Sequence, residues 1–291
     1  MRKGVMLAHP LSEAKLKKWK GDTCACQPKF DGNRCRAYRD SNGDVVLFSS
    51  QANVITSMPH INRQLSELMD IHQHWDGELY KHGMLVQDIR ARVGRTTNLH
   101  PDHKAINFHV FDSVDNPKLS FLQRYSRVFV ALKGVRTENI RLVRTNIIKF
   151  AQMSEVLGEY IEEGYEGIIL RNKESVYETK RSGGLLKYKP RHVDYYKITG
   201  AEQAISADGY PLGMLGAVHL TDAEGNTFKA GAGCLNHSER IILWGDYWHD
   251  NRALIGRWAK IKYPNLTARK IPFHPVLEQI LDTNPEEKGN G

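Results

Sequence analysis

Long apolar runs, cysteine pairs and repeats are what this chain of 291 residues lacks. No apolar stretch approaches the ~20 residues that a bilayer-spanning helix needs, so no membrane span is expected. The opening MRKGVMLAHP carries two positive charges and a short apolar run cut by His9 and Pro10. That run falls well short of a secretory-signal core. Only four cysteines occur, Cys24, Cys26, Cys35 and Cys234, and none forms a CxxC pair. A CxC without a second pair makes a poor zinc site, so reduced structural thiols are expected, in a cytoplasmic protein or in host cytoplasm for a viral one. No internal repeat and no low-complexity tract is present.

What is present is an ordinary globular composition, 41% hydrophobic and 25% charged, long enough for one large domain or two average ones. The net charge of +8 favours a polyanionic partner, nucleic acid above all, although basic metabolic enzymes share it.

Punctuation along the chain marks its elements. LSEAKLKKWK at 11–20 reads as a short basic helix or charged lead-in. CRAYR, DSNGD and VVLFSS read as a hairpin in which Asn42-Gly43 supplies the positive φ angles of a tight turn. Lys29 then sits just ahead of the hairpin's first strand. Residues 59–71 place Ile61, Leu65, Leu68 and Met69 on one helical face, and DGELY at 76–80 suits a strand start. DIRARVGRTTNLHPDHK at 88–104 is basic and poor in apolar residues, an exposed loop or short helix. INFHVFDSV is a buried strand, 119–134 a helix ended by Gly134, and NIRLVRT a short strand. Met153, Val156, Leu157, Tyr160 and Ile161 form a helical face closed by Gly164, followed by strands in EGIILRN and SGGLLKYKPR. Beyond 191 the character changes to short strands, YYKITG, AVHLTD, TFKAGA and WAKIKYP, with a helix in HSERIILWGDYW, which suits a small β-barrel. The last ten residues are polar and read as a frayed tail.

Several of these strands begin or end on a charged residue: Lys29, Asp31 and Arg34; Glu78; Phe111 with Asp112; Glu166; Lys187 and Lys189. Side chains at strand ends converge in clefts between sheets. Acids, three lysines and an aromatic there fit a site holding a nucleotide, a divalent metal and a reactive amine.

The order KFDGNR, DGEL, VFD, EGIILR, LLKYK resembles the lysine-adenylating nucleotidyltransferase superfamily of ATP-dependent DNA ligases, RNA ligases and mRNA capping enzymes. KxDG alone is common by chance, but five motifs in order are not. The resemblance implies an α+β nucleotidyltransferase domain over 1–191, with antiparallel sheets and flanking helices. It further implies a small OB-fold β-barrel over 192–281, with 282–291 as a tail. It makes Lys29 the nucleophile that takes AMP from ATP. Glu166 and Glu78 become candidate Mg²⁺ ligands, with Glu78 also near the ribose. Arg34 is placed at the ribose or a phosphate, Lys187 and Lys189 at the phosphates, and Gln27 near the adenine edge. Phe111 either stacks on adenine or is plain core. Asp112 either holds backbone or binds metal, Asp31 orients local structure, and the His72/His74 pair decorates a helix end or loop.

One departure stands out. The family often carries Ser-Arg after the first hairpin, whereas SSQAN puts Gln51 in the arginine's position, so a nucleotide or phosphate contact is either lost or supplied by another residue such as Arg90, Arg92 or Arg95.

FKAGAGCLNHSERIILW and GRWAKIKYPNLTARKIPFHP resemble the barrels of small bacterial and viral ATP-dependent DNA ligases. Lys270-Ile271-Pro272 departs from the arginine expected before proline. No RxDK-type ending is visible in VLEQILDTN, so Lys260, Lys262, Arg269 and Lys270 are candidates for part of that role. The stretch before Lys29 is too short for the extra domain of NAD-dependent ligases, which favours ATP. The expected activity is nick sealing in duplex DNA by a monomer through lysyl-AMP and DNA-adenylate, with ATP and Mg²⁺. Arg90, Arg92, Arg95, Lys104, Lys260 and Lys262 are the candidate DNA contacts, the 90–104 stretch having a solvated loop as its alternative. An RNA or hybrid-strand ligase and a non-catalytic DNA-binding relative are the other readings.

Overall fold

The computed structural model describes residues 4–190, 192–263, 266–267 and 270–285. Contacts divide the chain into two units, Met1–Lys189 and Pro190–Gly291.

In chain order the first unit holds β1 (Leu7–Pro10), α1 (Glu13–Leu16), β2 (Thr23–Lys29), β3 (Asn33–Arg39), β4 (Val45–Ser49), α2 (Pro59–Leu68), β5 (His74–Tyr80), α3 (Val86–Val93), β6 (Asn107–Ser113), α4 (Phe121–Leu132), β7 (Ile140–Leu142), β8 (Asn146–Lys149), α5 (Met153–Glu162), β9 (Gly167–Arg171) and β10 (Arg181–Tyr188). They build two five-stranded sheets, β1-β10-β9-β2-β8 and β4-β3-β5-β6-β7. Val156, Leu157 and Tyr160 of α5 seal the first sheet against Cys24, Cys26, Ile168 and Leu170. Ile61 and Leu65 of α2, with Ile89 and Val93 of α3, pack on the second sheet against Leu47, Leu79, Phe108 and Val110. Each helix buries the stripe that its 3.6-residue period puts on one face.

One expectation needs a correction of detail and another is extended. The β3–β4 hairpin forms with DSNGD as its loop, as expected: its last pair is Arg39–Val45, so the loop runs 40–44. Asp40 Oδ1 accepts from the Asn42 and Asp44 amides, both at 2.9 Å. Gly43 takes a positive φ of 87° and Asn42 does not. Lys29, meanwhile, is more than a lead-in to this hairpin, because it is the last residue of β2 in the other sheet. Pro28 is tolerated in β2 because β8 pairs only with Thr23–Cys26, leaving that end of the strand bonded on one side to β9.

The second unit comprises β11 (His192–Ile205), β12 (Pro211–Thr221), β13 (Thr227–Gly231), α6 (His237–His249), β14 (Trp258–Tyr263) and β15 (Val276–Leu281). The strands close into a barrel in the order β11-β12-β13-β15-β14. Ala259, Ile261 and Tyr263 point into its core and alternate with Trp258, Lys260 and Lys262. An Asn236–Glu239 capping box starts α6, whose Leu243, Trp244 and Tyr247 pack on the barrel core. VLEQIL, in which no RxDK-type ending is visible, is the strand that closes the barrel. Arg269 and residues 286–291 of the expected tail lie outside the described residues. Among the described residues no helix is long and apolar enough to cross a membrane.

Candidate active site

The ends of β2, β9 and β10 meet at one carboxylate. Lys29 closes β2, and its carbonyl accepts the Glu166 amide at 3.1 Å, which fixes Glu166 at the mouth of β9. The next residue must be glycine: a Cβ on Gly167 would lie 2.4 Å from the Tyr188 carbonyl of β10. Glu166 Oε2 accepts from Lys29 Nζ, and Oε1 accepts from Lys189 Nζ. One carboxylate cannot neutralise two ammoniums. Burial, and then the Lys29 charge, push Lys189 down to about 8, with Asp31 pulling the other way.

This triad opens on a cavity of about 600 Å³. Lys29, Glu166, Lys187 and Lys189 line it beside Glu78, Arg34, Phe111 and Gln27, so every nucleotide-site residue expected from the sequence meets at one hollow. Gly32 of the KFDG stretch allows this, because a Cβ there would stand 2.5 Å from the Leu79 carbonyl of β5. Glycine lets the Lys29 loop lie directly on the second sheet.

Arg34 and Gln27 are both committed internally. Arg34 grips buried Asp76 with two bonds, Nε–Oδ1 at 2.7 Å and Nη2–Oδ2 at 2.5 Å, and donates to the Met6 carbonyl at 3.3 Å. Burial disfavours its charge, but Asp76 overrides that and holds the guanidinium well above its ordinary value. Tyr177 donates to the same carboxylate at 2.5 Å and accepts the Met6 amide at 3.1 Å. Gln27 donates to Thr145 Oγ1 at 2.8 Å and to the Phe111 carbonyl at 3.3 Å, and accepts from Arg171 at 2.7 Å. Asp112 neither serves its own backbone alone nor faces the cavity as a metal ligand. It holds Arg124 at 2.8 Å and Arg171 at 2.9 Å while also accepting the Ser113 amide. Burial lowers Arg171 to about 10, against the pull of Asp112 and with the push of Arg34 and Arg124. Phe111 is 8% exposed, with the Arg34 and Arg171 guanidiniums 4.6 and 5.1 Å from its ring centroid.

Asp76, Arg124, Arg171, Thr145 and Tyr177 were missed from the sequence. The available signal was charge inside apolar strands: Asp76 in HWDGELY and Arg171 in GIILR are buried, and a buried charge demands a partner.

The cationic residues scatter. Arg90 of α3 lines the cavity, as do Ser49, Ser50, Gln51 and the unanticipated Arg181. Arg92, Arg95 and Lys104 do not line it. Arg92 bonds the Asp88 carbonyl at 2.9 Å and Asp102 at 3.4 Å. Lys104 borders a separate hollow of about 290 Å³ with Arg63 and Arg136. In the barrel, Lys260 and Lys262 both pair with Glu278, at 3.2 and 2.5 Å.

Among the described residues no three His, Cys, Asp or Glu side chains gather as a ready metal cage. The carboxylates lining the cavity are Asp31, Glu78 and Glu166. That set fits Mg²⁺, which takes one or two carboxylates and completes its shell with water and substrate phosphate. It does not fit a structural zinc. All four thiols are free, three of them buried.

Comparison with known proteins agrees with this geometry. Residues 5–189 match the family model described as the ATP dependent DNA ligase domain. A DNA ligase of African swine fever virus (isolate Warthog/Namibia/Wart80/1980) is 26% identical over 176 residues, 56% of this chain and 41% of the relative. A probable DNA ligase of Dictyoglomus thermophilum is 25% identical over 272 residues, covering 88% of this chain and 43% of its own. The chain thus spans less than half the length of these curated relatives. A solved structure of the minimal-scaffold Lig E DNA ligases shares the fold with a TM-score of 0.73 at 19% identity, covering 96% of this chain and 100% of its own. The ATP-dependent DNA ligase from bacteriophage T7, solved in complex with ATP, gives 0.56 at 14% identity, over 96% and 98%. With its model spanning nearly the whole first unit, and the lysine, carboxylates and cavity in place there, this chain belongs to the ATP-dependent DNA ligase domain family.

Proposed function

We propose that the protein is an ATP-dependent DNA ligase that seals nicks in duplex DNA. The observation that carries the reading is the Lys29–Glu166–Lys189 triad at the edge of a cavity large enough for a nucleotide. An amine attacks phosphorus only when neutral, so Lys29 first gives up a proton. Its Nζ then bonds to the α-phosphorus of ATP, the α–β phosphoanhydride breaks, and pyrophosphate leaves. Lys187 and Lys189 face the charge that builds on the phosphate oxygens. In the second step the 5′-phosphate of a nick takes AMP from Lys29. In the third, the 3′-hydroxyl attacks that phosphate and AMP departs.

Phe111 and Gln27 form the base end of the site in this reading, and Glu78 and Arg34 the ribose side. Glu166 and Glu78 are the residues that would hold Mg²⁺ together with nucleotide phosphates, and the ion supplies positive charge against the triphosphate. The nucleotidyltransferase and OB-fold assignments for 1–191 and 192–281 belong to the same reading, supported by the two sheets and the closed barrel. The DNA contacts are assigned to Arg90, Arg92, Arg95 and Lys104 in the first unit and Lys260 and Lys262 in the barrel. A monomer in a reducing cytoplasm fits the free thiols.

The test is a panel of singly nicked duplexes incubated with ATP and Mg²⁺, with DNA or RNA on either side of the nick. Joining of the all-DNA nick supports the reading. Joining only where RNA flanks the nick makes the protein an RNA or hybrid-strand ligase. No joining and no enzyme-bound AMP leaves it a DNA-binding relative.

A further inference from the structure

We propose that Arg90 is a subsite for a phosphate of the polynucleotide, and not for a phosphate of ATP. The inference rests on the ligase reading and assigns one residue to the second substrate.

Most of the cations lining the cavity are already bound to protein partners. Lys29 and Lys189 share Glu166, Arg34 is gripped by Asp76, and Arg171 is held by Asp112 and Gln27. Arg181 donates to the Ala8 carbonyl. Arg90 differs: its side chain makes no ion pair or hydrogen bond among the described residues, and it is exposed. A guanidinium already bonded to carboxylate must give up that partner to bind phosphate. Arg90 exchanges only water, and its planar fork suits two phosphate oxygens at once.

Its placement is rigid even though its tip is exposed. Ile89 and Val93 of the same helix are buried at 0% and 4%, and anchor α3 in the core of the second sheet. Arg90 therefore leaves a fixed helix rather than a loop. The exposed residues that line the cavity with Arg90 are Asp31, Gln51 and Arg181, and half-buried Ser50 adds a neutral polar group beside Gln51. The turn of Ser50 and Gln51 is held by Ser49 Oγ, which accepts the Gln51 and Asn53 amides at 3.3 and 3.2 Å. For a phosphate lodged there, Arg90 is the arginine that breaks no protein hydrogen bond or ion pair to bind it. The phosphates of ATP must instead reach Lys29, whose surroundings already contain Lys187 and Lys189. Arg181, the other exposed arginine of the lining, is already bonded to the Ala8 carbonyl. Arg92 does not share the role, since it is bound to the Asp88 carbonyl and to Asp102.

The test compares wild type, Arg90→Gln and Arg90→Lys in two assays: AMP labelling of the protein by ATP, and equilibrium binding of a nicked duplex across a salt series. Loss of one phosphate contact should lower nicked-duplex affinity of R90Q by ~10-fold and flatten the log-affinity against log-salt slope by about one. Labelling by ATP should stay within about twofold of wild type, and R90K should keep the salt slope with part of the affinity. Labelling that falls in step with DNA affinity would show that Arg90 serves ATP. Unchanged affinity and slope in R90Q would show that it serves neither. Wild-type protein that neither takes up AMP nor joins nicks sinks the ligase reading itself, a separate outcome.

Discussion

Glu166 holds two lysines on one carboxylate, and the consequence is a conflict between stability and chemistry. Lys189 is pushed to about 8 in the folded protein, below its ordinary 10.5. Between those values the unfolded chain holds a proton that the folded one has released, so this residue makes stability rise with pH through that window. Below about 8 both states are protonated, and the folded protein bears the full cost of the crowded ammonium. Lys189→Met is expected to raise the melting temperature at pH 7 by about 2–4 °C, the shift that ~1 kcal/mol gives in a domain of this size. It is also expected to slow AMP uptake at least ~10-fold if the ammonium neutralises phosphate charge. Calorimetry beside a single-turnover labelling assay checks both, and a destabilised variant with normal labelling contradicts both. Gly32 is the other sensitive position. A methyl group there would meet the Leu79 carbonyl at 2.5 Å, so Gly32→Ala should cost about 1–3 kcal/mol by urea denaturation.

At the scale of elements, what the sequence revealed depended on whether the signal was local. Helices α2, α4 and α5 announced themselves by period and cap, and the strands holding Glu78 and Phe111, with the strand that follows Glu166, by β-branched or aromatic content. β2 did not: TCACQPK is small, thiol-rich and interrupted by proline, yet it is an interior strand that carries Lys29. β1, β8 and β15 were missed because short or mixed stretches show no clear alternation, and their pairing partners lie far along the chain. The candidate site divides in the same way. Lys29, Glu78, Glu166, Lys187 and Lys189 were legible from motif order. The ties from Asp76 to Arg34 and Tyr177 span 42 and 101 residues, and only the folded sheets bring them together. Asp112 is the strongest such tie, joining β6 to α4 through Arg124 and to β9 through Arg171. Asp112→Asn leaves two buried guanidiniums undercompensated and should cost ~3–5 kcal/mol in chemical denaturation. A loss below about 1 kcal/mol would show that the buried network contributes little.

At the scale of the whole molecule, two units with separate cores carry a net charge of +8, and several of the cations are already paired with carboxylates. In the barrel, Lys260 and Lys262 lean on Glu278, which they hold below the usual carboxylate range. If that face meets DNA, Glu278 is a competitor for the phosphates. Glu278→Gln should then tighten nicked-duplex binding at low salt and steepen the salt slope by up to about two phosphate equivalents. An unchanged slope would place the DNA away from this face of the barrel.

The central claim is that Lys29 carries AMP. Incubating the protein with ATP and Mg²⁺, then measuring intact mass and mapping the modified peptide, tests it most directly. The account predicts the added mass of one AMP, acid-stable, on the peptide containing Lys29, and its absence in Lys29→Ala. No added mass in the wild type, or an adduct that persists in Lys29→Ala, contradicts it.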